Sequence, residues 1–260
     1  MAKAKQETKT EVTAPVVAQN TAIAQVEGVP TSAWGAENVS SKDLIIPKIL
    51  LMQGMSQLVA DGKAAVGQLI DSVSGELLGD RSKPLPFIPF YTFKTWITSK
   101  KKGEKYEYVG QTPMDATNED LPVEFSEGAD LFRRDRCINV YVLTPAALEK
   151  KEGIIPYMIS FRRTSYQAGK KLSTHIAKLA DFNQPPAARN FLLSVGTKEN
   201  EKGKFGVFDI EMKEATKPEH LKIAYEWYLK VKNTAVKVDD SDLRAESVKA
   251  DKEEADDVSY

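Results

Sequence analysis

Two residue types that build many active sites are scarce in this sequence. It contains one cysteine, Cys137, and two histidines, His175 and His220. A single cysteine excludes an internal disulfide, and Cys137 is expected to be a small buried hydrophobic residue in a reducing compartment. Neither histidine belongs to an HExxH or a cysteine–histidine pattern, so no zinc site is expected. We interpret His175 as a structural histidine and His220 as a solvated one.

Several segments and motifs with a defined role are also missing. No apolar run reaches about 18 residues, and the N-terminal MAKAKQETKTEV lacks the apolar core of a secretory signal. The expected location is therefore the cytoplasm, or the host cytoplasm for a phage-encoded chain, without a membrane partner. The sequence has no GxxxxGK[ST], GxGxxG or GxSxG motif. No catalytic residue, no metal and no cofactor is expected.

Charge is present in both signs but is unevenly distributed. Residues 239–260 carry nine acidic and three basic side chains, whereas residues 39–238 carry thirty basic and twenty-four acidic ones. A mildly basic body with an acidic tail indicates nucleic-acid contact or an interaction tail. The predicted organisation is a disordered arm over residues 1–39, one domain over residues 40–236 and a disordered acidic tail over residues 237–260.

The body predicts a mainly β domain with two helices. Apolar and β-branched runs place strands at residues 66–72, 86–98, 134–144, 154–163, 188–197 and 204–213. A helical period covers residues 165–182, and a terminal helix runs from Thr216 to about Asn233, with Thr216 and Glu219 at capping-box spacing. A helix between the third and fourth core strands is the connectivity of an OB-fold, a five-stranded Greek-key barrel.

Alternation along the strands predicts which side chains share a face. In residues 86–98 one face is expected to hold Phe87, Tyr91 and Phe93, and the other Phe90, Lys94 and Trp96. In residues 134–144 the apolar face is Ile138, Val140 and Val142, opposite Asn139 and Tyr141. Along the first helix the apolar stripe is Leu172, Ile176 and Leu179.

Three clusters combine cations with aromatic rings, which single-stranded nucleic-acid binders use for phosphates and bases. The predicted nucleic-acid-binding residues of the first cluster are Lys94, Trp96, Lys100, Lys101, Lys102, Lys105, Tyr106 and Tyr108. Those of the second are Arg134, Arg136 and Tyr141, beside Arg133. Those of the third are Arg162, Arg163, Tyr166, Lys170 and Lys171, beside Phe161.

Two other function classes stay open at this point. Asp209, Glu211 and Lys213 fall on one face of a strand and match the E-x-K half of a Mg²⁺-dependent nuclease, although the upstream Pro-Asp half is missing. The alternative is the solvent face of a half-buried strand. The second class is a structural or scaffolding protein of a virus particle.

The tail is the most specific feature. It ends with Asp256, Asp257, Val258, Ser259 and Tyr260, an acidic run closed by an aromatic residue. In its architecture the region from Val66 to Tyr260 resembles phage-encoded single-stranded DNA-binding proteins, such as those of short-tailed phages. The resemblance implies an OB-fold that binds single-stranded DNA, and an acidic tail whose Asp256, Asp257 and Tyr260 recruit replication proteins. Members of that family often end in phenylalanine, where this chain has Tyr260.

The sequence therefore favours a non-enzymatic, sequence-independent single-stranded DNA-binding protein of phage DNA replication, recombination and repair. Its expected partners are single-stranded DNA, a polymerase or a helicase–primase, and a second copy of the chain as a homodimer. The candidate stacking residues are Trp96, Tyr106, Tyr108, Tyr141 and Tyr166.

Overall fold

The computed structural model describes residues 45–54, 56–150, 154–200, 203–232 and 237–238. The strands in chain order are β1 (Ile45–Ile46), β2 (Ile49–Leu51), β3 (Leu69–Asp71), β4 (Leu77–Gly79), β5 (Leu85–Lys102), β6 (Lys105–Pro113), β7 (Glu124–Glu127), β8 (Asp130–Leu143), β9 (Tyr157–Arg162), β10 (Arg189–Asn200), β11 (Gly203–Ala215) and β12 (Lys237–Val238). The α-helices are α1 (Gln57–Ala60), α2 (Pro145–Lys150), α3 (Tyr166–Asp181) and α4 (Pro218–Lys232). Short 3₁₀ helices lie at Arg163–Ser165 and Pro186–Ala188.

The fold is mainly β with helices, and its sheets are mainly antiparallel. The largest sheet has the order β11-β10-β5-β8-β7, with β6 paired to β5 and β9 paired to β8. A second sheet has the order β2-β3-β4. Strands β1 and β12 pair in parallel, so residues 237–238 form a strand where the sequence predicts the start of a disordered tail. The predicted arm at residues 1–39 and the rest of the tail lie outside the described residues.

The predicted order of core strands is present, but the predicted closed barrel is not. Strands β5, β8 and β9 form an antiparallel meander, α3 follows, and the β10–β11 hairpin pairs with β5 through β10. Within the described residues no ladder joins β9 to β11. Instead Lys48 forms an isolated bridge to Met158 on β9. The Gln53 side chain bonds the backbone N–H and C=O of Gly206 on β11, each at 2.9 Å. One bridge and one side-chain contact stand where a closed barrel would have a ladder, so the sheet is not closed along this side.

Two apolar cores cover the two faces of the large sheet. The first core lies under α3 and includes Val140 on β8 and Leu172 on α3. The second core lies under α4 and includes Ile88 on β5, Tyr141 on β8 and Ala224 on α4. Each face of the sheet is therefore closed by one of the two long helices.

A bulge in β5 corrects the predicted faces of that strand. The register against β8 shifts between Pro89 and Tyr91, so that Phe90 is the extra residue. Phe87 then belongs to the core under α3, while Phe90, Tyr91 and Phe93 belong to the core under α4. Proline has no N–H for a ladder, and Pro89 lies directly before the bulge. Alternation counted through this point gives the wrong face for every later side chain.

The face assignments for β8 and α3 are confirmed. Ile138, Val140 and Val142 lie in the core under α3, whereas Asn139 and Tyr141 lie on the other face. The predicted stripe of α3, Leu172, Ile176 and Leu179, packs against the same core. Strand β8 is unbroken in its register, so the period of two holds along it.

Helix α4 corrects two smaller predictions. Thr216 does not form a capping box, because its buried Oγ1 has no hydrogen-bond partner among the described residues. His220 is buried against the body rather than solvated. Pro218 opens the helix, since a first-turn residue needs no N–H for an intrahelical bond. The short helices α1 and α2 are present in addition to the two predicted helices, which correspond to α3 and α4.

Candidate nucleic-acid interface

Two of the segments that carry predicted cations, β8 and the turn after β9, meet at one buried carboxylate. Asp135 on β8 is 7% exposed and accepts a hydrogen bond from Nε of Arg133 at 3.0 Å and from Nε of Arg163 at 2.7 Å. The two bonds use different oxygens, Oδ1 and Oδ2. Arg133, Asp135 and Arg163 are called the arginine clamp below.

Local structure explains how the clamp forms. Arg133 and Asp135 are two residues apart on β8 and so project from the same face. Cys137 pairs with Arg162, which places the end of β9, and Arg163 directly after it, beside Asp135. The carboxylate of Asp135 therefore bonds a guanidinium that is 28 residues away in sequence.

The backbone of Arg163 is in an unusual conformation. Its φ is +48°, in the left-handed region that costs a residue with a Cβ about 1–2 kcal/mol. Arg163 lies in the turn between β9 and α3, and its ion pair with Asp135 holds the side chain in place. Strain of this kind is retained where surrounding contacts compensate for it.

The guanidinium groups of the clamp face solvent. The side chains of Arg133 and Arg163 are 39% and 42% exposed. A guanidinium has five N–H donors, and Asp135 takes the Nε donor of each. Asp135 thus orients two cations while leaving them accessible, which is the arrangement that a phosphate group requires.

Aromatic rings of the β5–β6 hairpin lie next to the clamp. Ser99 on β5 is opposed by Tyr108 on one side and by Arg133 on the other, so all three side chains share a face. Tyr106 is on this face as well, and the Arg133 guanidinium carbon lies 5.9 Å from its ring centroid. Both tyrosines are half-buried, and Tyr108 packs against Ile97. The clamp and the predicted rings Tyr106 and Tyr108 therefore form one surface.

Charges around this surface are mainly positive. Lys101 pairs with Tyr106 in the hairpin and is exposed, and Arg162 is half-buried beside the clamp. Besides Asp135, acidic residues of the described chain near them are Glu124 on β7, which is opposite Arg133, and Glu104 in the turn of the β5–β6 hairpin. Lys102 and Lys105 close the same hairpin at its tip.

Trp96 does not have the stacking role predicted for it. It is 0% exposed, and its Nε1 donates to the Asn118 carbonyl at 3.0 Å. The Arg136 guanidinium carbon lies 5.3 Å from its ring and Nη2 donates to the Glu119 carbonyl, so this ring and cation anchor the loop before β7. The Glu119 carboxylate accepts a hydrogen bond from Lys94 that lowers its pKa. Of the first cluster, Lys94 and Trp96 therefore lie away from the clamp, on the opposite face of the sheet.

Tyr141 is also buried, which contradicts its predicted stacking role. It is 4% exposed and stacks on Phe90 and Tyr91 with centroids 6.2 Å apart in each case. Burial raises the pKa of its hydroxyl to about 12. A base cannot reach this ring without unpacking the core under α4.

The other predicted cations are distributed over both faces. Lys100 forms an ion pair with Asp130 at 2.7 Å, and the Arg134 guanidinium lies 3.5 Å from the Phe125 ring centroid. Both are on the face that holds Trp96. Their placement on that face separates them from the clamp.

The third cluster is split by α3. Tyr166 is half-buried against the core, with Lys170 Nζ 5.7 Å from its ring. Lys171 bonds Asp209 on β11 at 2.9 Å. Burial raises the pKa of Asp209, but hydrogen bonds from Lys171 and a backbone N–H outweigh it and leave the pKa lowered. Arg163 alone of this cluster is part of the clamp.

The E-x-K pattern on β11 has no metal-binding geometry in the described residues. The Asp209 carboxylate accepts from Lys171 at 2.9 Å, and the Glu211 carboxylate accepts from Lys213 at 2.6 Å. The part of the chain that the structure describes has no group of three or more His, Cys, Asp or Glu side chains able to hold a metal ion. Asp209 and Glu211 are exposed while Phe208 is buried, as for the solvent face of a half-buried strand.

Cys137 is buried, as predicted, and burial raises the pKa of its thiol to about 11. None of the helices in the described ranges is both long enough and apolar enough to cross a membrane. The tail residues Asp256, Asp257 and Tyr260 lie outside the described residues, so their predicted role stays a prediction.

Asp135 is the functional residue that the sequence reasoning missed. Its signal is a single acid within the basic run Arg133-Arg134-Asp135-Arg136. An acid between arginines on a strand has one of them as its same-face neighbour two residues away. Only the fold supplies the second partner, Arg163.

Comparison with known proteins supplies the family. Searches of curated proteins and of solved structures find no match. A family model described as Pam3 phage gp34-like protein matches residues 18–237, which includes all the strands from β1 to β11 and all four α-helices. The chain belongs to the Pam3 phage gp34-like protein family, a family of phage proteins.

Proposed function

We propose that this protein binds single-stranded DNA without sequence preference, through the arginine clamp and the neighbouring rings of Tyr106 and Tyr108. The observation that carries the proposal is the buried carboxylate of Asp135, which orients two half-exposed guanidinium groups. Arginines held in this way bind phosphate oxygens with little further loss of side-chain freedom. Phosphate contacts supply affinity without reading sequence.

The rings beside the clamp support a single strand over a duplex. Tyr106 and Tyr108 lie on the same face as Arg133 and retain part of their surface. Unpaired bases stack on such rings, whereas bases in a duplex are already stacked on one another. Stacking tolerates every base, which agrees with binding that is independent of sequence.

The position of the clamp within the fold supports the same function. The meander β5-β8-β9, followed by α3 and the β10–β11 hairpin, has the strand order of an OB-fold, and we propose that the domain is an open variant of it. OB-folds bind oligonucleotides on their second and third strands and on the loop between the first two. In this chain the equivalents are β8, β9 and the segment that contains β6, and the clamp lies where these three meet.

In a phage protein, such binding would protect exposed strands during DNA replication, recombination and repair. The family membership supports the phage setting. The acidic C-terminal residues would recruit replication proteins, as the sequence predicts.

The test is fluorescence anisotropy with labelled oligo-dT and a matched duplex at two salt concentrations. The wild-type protein should bind oligo-dT more tightly than the duplex, and more weakly at high salt. Arg163→Ala should weaken oligo-dT binding about 10- to 100-fold, the loss expected for a hydrogen-bonded charge. Arg163→Ala should also reduce the slope of log affinity against log salt by about 0.7.

Arg81→Ala is the matched control. Arg81 is exposed in the loop after β4, on the separate β2-β3-β4 sheet, and its loss removes the same charge. It should leave the affinity within about twofold. Equal binding of duplex and oligo-dT, or equal losses in the two variants, would refute the proposal.

A further inference from the structure

Helix α4 carries a second surface that combines aromatic rings with cations. We name it the α4 platform and define it as Tyr225, Trp227, Tyr228, Lys230 and Lys232. The buried side of the helix packs on the core of the body through His220, Ala224 and Val231. Trp227 and Tyr228 flank this side and are partly buried against the same core, whereas Tyr225 lies on the exposed side of the helix. Tyr225 is 59% exposed, so its ring is accessible to a ligand.

The rings of the platform are held in a series that leads from the core to solvent. Tyr91 lies 6.1 Å from Tyr228, measured between ring centroids, and Tyr228 is stacked on Tyr225 at 6.2 Å with 25° between the planes. Phe93 extends the series on β5, 6.0 Å from Tyr91. The exposed ring is therefore supported from beneath and presents a fixed flat surface.

Two lysines lie against these rings. Lys230 Nζ is 4.5 Å from the Trp227 centroid, and Lys232 Nζ is 5.4 Å from the Tyr228 centroid. Lys222 is a further exposed cation of the helix, and the acidic side chain among these residues is Glu226. A ligand for this surface therefore carries flat apolar groups and negative charge together. A nucleic-acid strand with unpaired bases combines the two.

The platform lies on the same face of the sheet as the clamp. Along β5, the side chains of Tyr91, Phe93 and Ser99 project from one face, because the register against β8 is unbroken between them. Tyr91 and Phe93 contact the platform end, and Ser99 is opposite Arg133. Six residues of strand separate Phe93 from Ser99, which is about 20 Å.

We infer that the α4 platform is a second contact for the strand that the clamp holds, with an unpaired base stacked on Tyr225 and a phosphate near Lys232. Helical spacing of three and four residues places Tyr225, Tyr228 and Lys232 on one side of α4. This inference rests on the proposed function. At about 3.4 Å per stacked nucleotide, about six nucleotides bridge the two surfaces. That length is within the site sizes of 4–16 nucleotides that single OB-folds occupy.

The experiment is an anisotropy titration of the full chain with labelled dT16, using three variants. Tyr225→Ala should weaken binding about five- to hundredfold, the effect of losing one stacked base. Phe182→Ala is the matched control, since Phe182 is an exposed ring after α3, the helix that covers the opposite face. It should leave the affinity unchanged. Arg163→Ala reports on the clamp in the same titration.

A second measurement gives a direct signal from the platform. Binding of dT16 should quench tryptophan emission, and Trp227→Phe should remove part of that quenching, because Trp96 is buried and Trp227 lies on the platform. Tyr225→Ala truncates an exposed side chain and Trp227→Phe keeps an aromatic ring at a half-exposed site, so circular dichroism should show unchanged secondary structure.

The outcomes separate the two ideas. If Arg163→Ala weakens binding and Tyr225→Ala equals Phe182→Ala, the strand does not contact the platform, the inference is wrong, and the clamp proposal stands. The platform would then be a contact for another protein. If the wild-type chain binds no oligonucleotide, the proposed function fails and the inference fails with it.

Discussion

Removal of the Asp135 carboxylate tests whether that residue holds the two guanidinium groups of the arginine clamp together. In Asp135→Asn the side chain keeps its shape, but one of its two oxygens becomes an NH₂ group. An amide oxygen can still accept from Arg133 or from Arg163, while the NH₂ group faces the other Nε–H, donor against donor. One of the two charge-assisted bonds is therefore lost, and two cations remain beside each other.

The structure sets the size of the effect. Removing one partner of a fully buried ion pair costs about 3–5 kcal/mol because the other charge is left without compensation. Here Asp135 is 7% exposed, but the Arg133 and Arg163 side chains are about two-fifths exposed and can be solvated again. Solvent screening reduces the cost. We expect Asp135→Asn to lower the free energy of unfolding by about 2 kcal/mol, or the Tm by about 4–8 °C.

Urea unfolding followed by circular dichroism measures this effect. Asp130→Asn is the control, since Asp130 forms a surface ion pair with Lys100 and is 49% exposed. It should change stability by less than about 0.5 kcal/mol. A double-mutant cycle of Asp135→Asn with Arg163→Ala should give a coupling energy of about 1 kcal/mol. Equal stabilities of the Asp135 and Asp130 variants, with no coupling, would refute the view that Asp135 holds the clamp together.

Three further predictions concern the body. Gly169→Ala places a Cβ 2.7 Å from Phe161 Cβ. Overpacking of this kind costs about 1–3 kcal/mol, which exceeds the gain of about 1 kcal/mol in helix propensity. Urea unfolding should therefore show a lower free energy of unfolding. Asn139→Ala removes one hydrogen bond from the buried Thr95 hydroxyl, which keeps its bond from Gln111, and one from the half-buried Ser160 hydroxyl, and should cost about 1–3 kcal/mol in the same assay. The thiol of Cys137 has a pKa raised to about 11, so the neutral form stabilises the fold below pH 9 and this contribution is lost as the pH rises to 11. Alkaline unfolding of Cys137→Ala should show a smaller dependence on pH in that range, and native Cys137 should react slowly with a disulfide reagent at pH 8.

The regular parts of the fold could be predicted because they depend on local periodicity. Strand β8 alternates without a bulge, so Ile138 and Val140 were assigned to the correct face. Helix α3 has a clear stripe through Leu172 and Leu179 and ends before the prolines at 185 and 186. In these elements each side chain's environment follows from its neighbours in sequence.

The faces of β5 could not be predicted from alternation. A bulge at Phe90 adds one residue to the strand and exchanges its two faces from that point onward. Prolines at 84, 86 and 89 indicate that pairing in this strand is irregular, but they do not show which residue is the extra one. Trp96 adds a second difficulty, because the loop that covers it contacts it through Asn118, 22 residues away.

The candidate site was predicted in composition but not in geometry. The sequence indicates that arginines and tyrosines gather near the ends of β8 and β9, and the structure brings Arg133, Arg163 and Tyr106 together. It does not indicate that an acid would organise them. Asp135 lowers the net positive charge of the cluster, so a search for positive charge counts it as unfavourable, although its burial is what fixes the two guanidinium groups.

The buried polar residues between the clamp and the α4 platform fix the distance between these two surfaces. Asn139 donates to the Thr95 hydroxyl at 2.9 Å and accepts from the Ser160 hydroxyl at 2.8 Å, which joins β5, β8 and β9. These residues project from the same face as the clamp and lie between it and the platform. A shift of the register by two residues would move one contact about 7 Å relative to the other, the length of about two stacked nucleotides. An apolar pair would fill this space without specifying the register, whereas hydrogen bonds in three strands permit a single alignment. The polar network therefore gives a physical reason for the burial of Asn139, and it makes the separation of the two contacts a property of the sheet rather than of mobile loops.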